Sequence, residues 1–217
     1  AGANRHFKAA DISQEKLEEA ALFHFGYPPL MPEMYEDNGA ELVSLMKRAK
    51  AAGVATSLDM AAVDENAPAG QADWKEILKN VLPFVDFFVP SVEELCFMLD
   101  RERFHEWQKR ADGRDITEIL DVEKDIRPLA EQCMEFGAKV LLIKCGVPGM
   151  YLRTADKNSL EKTGSKAELS ADVWSEKEIF EKSYVPDRVR SGTGAGDSSI
   201  AAFLTAMLEG SEPEEAL

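Results

Sequence analysis

Gly192-Thr193-Gly194-Ala195-Gly196-Asp197 is the stretch of this chain best suited to chemistry. Glycines at alternate positions let the backbone turn sharply and let another molecule come close. The apolar run Ser198–Leu208 that follows predicts a helix beginning at the loop. Such a helix directs its free N–H groups and positive dipole end into the glycines, which makes an anion site with phosphate as the natural guest. Asp197 does not belong in a simple phosphate cradle, because a carboxylate repels the ligand. It fits a general base that takes the proton from a hydroxyl attacking phosphorus. The plainer alternative is a glycine turn with Asp197 as helix N-cap. Neither the Walker loop, whose Lys position is Asp197 here, nor the dinucleotide fingerprint is matched.

Other segments offer groups to such a site. Ser91-Val92-Glu93-Glu94 reads as a capping box that starts a helix. The apolar run Val140–Ile143 leads into Lys144-Cys145-Gly146-Val147-Pro148-Gly149, which alone reads as an ordinary buried strand followed by a glycine turn. Val54–Leu58 ends in Asp59, which on its own reads as a turn residue.

The elements that position these groups alternate. A capping box at Asp11-Ile12-Ser13-Gln14 precedes a helix over Glu15–Ala20, and Ala21–Phe25 is a strand. Glu33–Ala52 is a long amphipathic helix closed by Gly53. The strand Val54–Leu58, helix Asp73–Leu82 and strand Val85–Val89 follow. A helix begins at Ser91 and another spans Glu123–Phe136. The strand Lys139–Lys144 then turns toward Met150–Arg153. Thr154–Lys182 is polar and reads as a surface excursion, and Arg101–Arg114 as a solvated helix face. Repeated strand-helix-strand units mean right-handed crossovers and a parallel sheet covered on both faces. Ligands then sit beyond the carboxyl ends of the strands, where Asp59, Pro90-Ser91, Lys144 and the Gly192 loop all fall.

Thr193-Gly194-Ala195-Gly196-Asp197 resembles the T-G-A-G-D signature of the ribokinase-like (PfkB) carbohydrate kinases. The resemblance implies a three-layer α/β/α sandwich with a mainly parallel sheet, as one domain over residues 1–217. It implies Asp197 as catalytic base and the amides of Gly194, Ala195 and Gly196 as an anion hole, with Thr193 on the nucleotide side. Pro90–Glu94 is similar to the family's N-x-x-E motif, with Ser91 at the Asn position; Glu94 would then organise Mg²⁺ through water, as suits a strongly hydrated ion. Lys144, Gly146 and Gly149 fall at the family's nucleotide turn. The family strand ending in Asp is often followed by Pro-Asn and an Arg; here Met60-Ala61-Ala62 follow Asp59, so a phosphate role for that loop is not carried over. Ser191 stands where relatives commonly have an Asp that helps bind a monovalent cation, so K⁺ activation is not carried over either. The resemblance covers the middle and later parts of a family member. The lid-bearing opening part, with much of the sugar pocket, is expected to lie outside this sequence.

The implied reaction is phosphoryl transfer from MgATP to a hydroxyl of a small carbohydrate. A nucleoside or another small alcohol as acceptor, and a non-catalytic nucleotide or sugar sensor, are the alternatives. Composition is compatible with this. The 217 residues suffice for one core, and a net charge of −15 opposes nucleic acid and anionic membrane as partners. Cys96, Cys133 and Cys145 form no metal or disulfide pattern, which suits the cytoplasm, and His6, His24 and His105 have no ligand spacing. A homodimer is among the expectations.

Overall fold

The apolar strand segments lie side by side. In the computed structural model, which describes residues 2–185, 187–188 and 191–217, β1 (Leu22–Phe25), β2 (Ala55–Leu58), β3 (Phe87–Phe88) and β4 (Val140–Lys144) run parallel in chain order. β5 (Gly149–Thr154) and β6 (Glu178–Lys182) add antiparallel strands, so the sheet order among the described residues is β1-β2-β3-β4-β5-β6. Parallel neighbours need long crossovers, and helical segments supply them. α1 (Gln14–Glu19) precedes β1; the crossovers include α2 (Pro32–Tyr35), α3 (Ala40–Ala51), α4 (Trp74–Val81), α5 (Val92–Leu99), α6 (Arg101–Ala111) and α7 (Arg127–Glu135). Beyond β5 come α8 (Lys157–Leu160), α9 (Ala171–Trp174), α10 (Ala195–Leu208) and α11 (Pro213–Ala216).

The period-two alternation of the strands divides the core in two. Leu58, Phe88, Leu141 and Ile143 face one side and pack with Leu42, Leu45 and Met46 of α3, Ile77 and Leu78 of α4, Leu95 of α5 and Leu129 and Cys133 of α7. Phe87, Val140, Leu142 and Leu152 face the other and pack with Ile200, Phe203, Leu204 and Met207 of α10 and Trp174 of α9. A sheet between two helical layers is the expected α/β/α sandwich. Its sheet is parallel through β4 and antiparallel at β5 and β6.

Several local expectations are corrected. Ser13 caps α1, accepting from the Lys16 N–H; Asp11 closes the preceding turn by accepting from the Lys8 N–H at 2.8 Å. The Glu33–Ala52 helix is broken, because Asp37, Asn38 and Gly39 adopt positive φ, the signature of short polar residues and glycine rather than of a helix interior. The helix at Glu123–Phe136 opens with a wide turn, Val122–Ile126, before α7. The strand expected at Val85–Val89 has Phe87–Phe88 as its regular core, and Asp86 N–H to Thr56 O at 3.0 Å and Val89 N–H to Leu58 O at 2.9 Å continue its bonding to β2 on either side. The Thr154–Lys182 excursion contains β6 and buries Leu160, Ala167 and Trp174, so its few apolar residues anchor it to the second core. Within Arg101–Arg114, α6 buries Trp107 and Ala111. α10 is buried on one face only: Ile200, Phe203, Leu204 and Met207 point inward, while Ala201, Ala202 and Leu208 are exposed.

Candidate active site

The carboxyl ends of the four parallel strands and the start of α10 meet at one cleft of about 720 Å³. β1 delivers Tyr27, β2 delivers Asp59, the turn after β3 delivers Ser91 and Glu94, β4 delivers Lys144, and the α10 end delivers Ala195, Gly196 and Asp197. Gly146, Val147 and Gly149 form the far wall. The site residues expected from sequence are therefore brought together, apart from Thr193 and Gly194, which do not line the cleft.

The glycine loop has the geometry an anion needs. Gly194 caps α10 in the left-handed region at φ 79°, a conformation that carries a penalty for residues with Cβ. Ser198 N–H begins the helical ladder on Gly194 O at 2.9 Å. Ala195 N–H turns back to Gly192 O at 3.2 Å, and Thr193 N–H to Ser191 Oγ at 3.1 Å. Those two amides are occupied by the loop itself. Among the described residues, the N–H groups of Gly196 and Asp197 have no protein acceptor and remain for a ligand. Asp197 is the third residue of the helix rather than its cap, so the N-cap alternative is set aside. Its carboxylate accepts a hydrogen bond from the phenol of Tyr27.

Lys144 is paired. Its Nζ lies 2.8 Å from Asp59 Oδ1, with the Lys side chain 14% exposed and the Asp 2%. A Cβ placed on Gly196 would lie 3.7 Å from the same Nζ, so the ammonium sits directly beneath the glycine loop. Ser91 pairs with Lys144 in an isolated parallel bridge, and Lys144 N–H donates to Pro90 O at 2.9 Å. This ties β4 to the start of α5. Glu94 forms the capping box: its Oε2 accepts from Ser91 N–H at 2.9 Å, and Ser91 Oγ accepts from Glu94 N–H at 3.3 Å. Both sequence readings of Glu94 are thus compatible, since the box consumes one carboxylate oxygen while the residue also lines the cleft. Gly149, at φ 141°, has no room for a side chain, because a Cβ would lie 2.0 Å from Glu181 O. That contact sets the Gly146–Gly149 turn against β6.

Burial raises the Asp59 carboxyl to about 6, outweighing the opposing pull of Lys144 and of the Met60 amide. Native Asp59 therefore holds its proton more tightly than the unfolded chain does. Its contribution to stability is most favourable at acid pH and declines as pH rises from about 4 through about 6. Urea unfolding of wild type and Asp59→Asn between pH 4.5 and 7.5 checks this. The advantage of wild type over the variant is expected to shrink through pH 6 and then level; a pH-independent difference would contradict it.

Two residues of the cleft region escaped the sequence reading. Tyr27 had no signal beyond a turn. Its phenol is raised above its ordinary value, first by the hydrogen bond to Asp197 and then by burial, so it keeps its proton and donates. His24 shares a 3.0 Å hydrogen bond with Ser57. Burial and then Lys144 lower its titration while Asp197 opposes them, which leaves it neutral at pH 7.

A helix start whose Gly196 and Asp197 amides have no acceptor among the described residues, a carboxylate beside it and a lysine close to it, all at the carboxyl edge of a parallel sheet, is the kind of arrangement at which α/β folds receive anionic ligands. The sequence profile described as "pfkB family carbohydrate kinase" matches residues 1–217, and the chain belongs to that family. It is 25% identical over 181 residues to an uncharacterized sugar kinase of Archaeoglobus fulgidus, covering 82% of this chain and 51% of that protein. Among solved structures it resembles an Arabidopsis thaliana ribokinase complexed with ribose and ATP, with TM-score 0.56, 23% identity, and 94% and 48% of the two chains covered. It also resembles the adenosine kinase of Sinorhizobium meliloti, with TM-score 0.57, 15% identity, and 97% and 50% covered. The chain spans about half the length of these relatives.

Proposed function

We propose that the protein is an ATP-dependent kinase of a small carbohydrate, working in the cytoplasm. The observation that carries this reading is the convergence of Asp197, Lys144 and the free Gly196 and Asp197 amides on one cleft. In the proposed reaction Asp197 accepts the proton of the acceptor hydroxyl. The hydroxyl oxygen bonds to the γ-phosphorus of ATP as the bond to the bridging oxygen breaks, and ADP leaves with that electron pair. The anion hole takes the charge on the transferred group. The Gly194–Gly196 segment supplies it, with Gly196 N–H its best-placed donor and Ala195 N–H requiring release from Gly192 O. Lys144 adds a fixed positive charge beneath the loop. Gly146 and Gly149, which line the cleft, border the nucleotide, and Thr193 next to the Gly194 cap adds to that side of the loop.

Glu94 fits a role toward magnesium: Oε2 is held by the capping box, which orients the carboxylate and leaves Oε1 for the ion's water shell. When bound, Mg²⁺ neutralises charge on the phosphate oxygens. A carbohydrate acceptor is favoured because the Archaeoglobus relative is called a sugar kinase and the Arabidopsis neighbour holds ribose and ATP. A nucleoside acceptor is the second reading, supported by the adenosine kinase neighbour. Turnover of MgATP against a panel of pentoses, hexoses and nucleosides, using the protein at its full natural length, is expected to give acceptor-dependent ADP release with a sugar. Release only with a nucleoside would favour the second reading, and binding of ATP without turnover on any acceptor would favour a sensor.

A further inference from the structure

The loop after β1 brings an aromatic hydroxyl to the carboxylate assigned as base. Tyr27 lies 170 residues before Asp197, and its phenol donates to Asp197 Oδ1. The loop is well fixed. Pro28 and Pro29 are buried and start a tight turn, Leu30 N–H closes it on Tyr27 O at 3.0 Å, and Met31 N–H bonds Pro28 O at 2.9 Å. Gly26, the preceding residue, lies beside the end of β2, where a Cβ on it would be in ordinary contact with Asp59 Cβ at 3.7 Å. Asp197, by contrast, is exposed on the first turn of α10, next to a loop rich in glycine. An exposed Asp at such a place has several rotamers, of which only some aim an oxygen at the acceptor.

We infer that Tyr27 is a positioning residue for the base: by holding Oδ1 it fixes the Asp197 rotamer and leaves Oδ2 to take the proton of the acceptor hydroxyl. This rests on Asp197 being the base. The chemistry fits, because an ionised carboxylate accepts at both oxygens, and one charge-assisted bond from a rigid donor selects an orientation without using the second oxygen. No proton passes through Tyr27. The phenol O–H stays bonded throughout, and the acceptor proton ends on Oδ2.

The test is a double-mutant cycle on single-turnover phosphoryl transfer in the full-length protein, with wild type, Tyr27→Phe, Asp197→Asn and the double variant. Phe keeps the ring and removes only the hydroxyl, so the melting temperature and the KM for ATP are expected to stay near wild type. The kcat of Tyr27→Phe is expected to fall about tenfold, the size of a lost hydrogen bond to a charged group. In the Asp197→Asn background, where there is no base to orient, Tyr27→Phe is expected to change the residual rate less than twofold or so. A purely structural tyrosine would cost the same factor in both backgrounds, and that result overturns the positioning role while leaving the base intact. Wild-type kcat in Asp197→Asn removes the base, and this inference with it. Unchanged kcat in Tyr27→Phe alone also overturns it.

Discussion

Asp197→Asn is expected to cut phosphoryl transfer to a small residual rate while leaving the fold and ATP binding nearly intact. Asn is close to isosteric, and its carbonyl oxygen can still accept from Tyr27. The residue caps nothing in α10, since Gly194 holds that position. What the folded state loses is the favourable charge near the helix start, worth about 0.3–1 kcal/mol at an exposed site. What the reaction loses is a proton acceptor, typically a factor of about 10²–10⁴. Steady-state kcat, with thermal melting and ATP titration alongside, separates the two roles. A variant with near-normal kcat would make Asp197 a surface carboxylate and the proposed mechanism wrong.

The second large effect is expected at Lys144. Lys144→Met removes the cation beneath Gly196 and leaves Asp59 buried without its partner. Two losses then coincide. Turnover is expected to drop about 10²–10³-fold, as for other preorganised groups that face developing charge. Stability is expected to fall by up to about 3 kcal/mol, the lower end for a broken buried pair, because the Lys side chain keeps some solvent contact. Lys144→Met with Asp59→Asn separates them. The double variant is expected to regain most of the stability, since no buried charge is left unpaired, and to remain slow. Recovery of turnover along with stability would mean that Lys144 only neutralises Asp59.

The lysine shows where reading residues one at a time stops. Val140–Lys144 is legible as a strand because its apolar run needs burial on both faces, and the Gly146–Gly149 turn is legible because glycine marks it. That Lys144 meets Asp59, 85 residues earlier, depends on β2 and β4 lying on either side of β3, and no local pattern encodes this neighbourhood. Asp59 reads as an ordinary turn residue for the same reason. Its burial and raised titration are properties of the packed sheet edge.

The sequence by itself determined the motif chemistry: the glycine loop, the Asp that ends it, the helix it starts, and the alternation that demands a largely parallel sheet between helices. These rest on backbone freedom and hydrophobic period, which act over a few residues. Tertiary structure alone decided which side chains share the cleft. It put the Tyr27 phenol on Asp197, set Lys144 beneath Gly196, turned the Ala195 amide back on the loop, and folded the polar Thr154–Lys182 stretch into β6 and a Trp174-anchored core. The physical reason is one of range. Propensity and capping are settled by neighbours in the chain, whereas a hydrogen bond across 170 residues exists only after the strands have chosen their order.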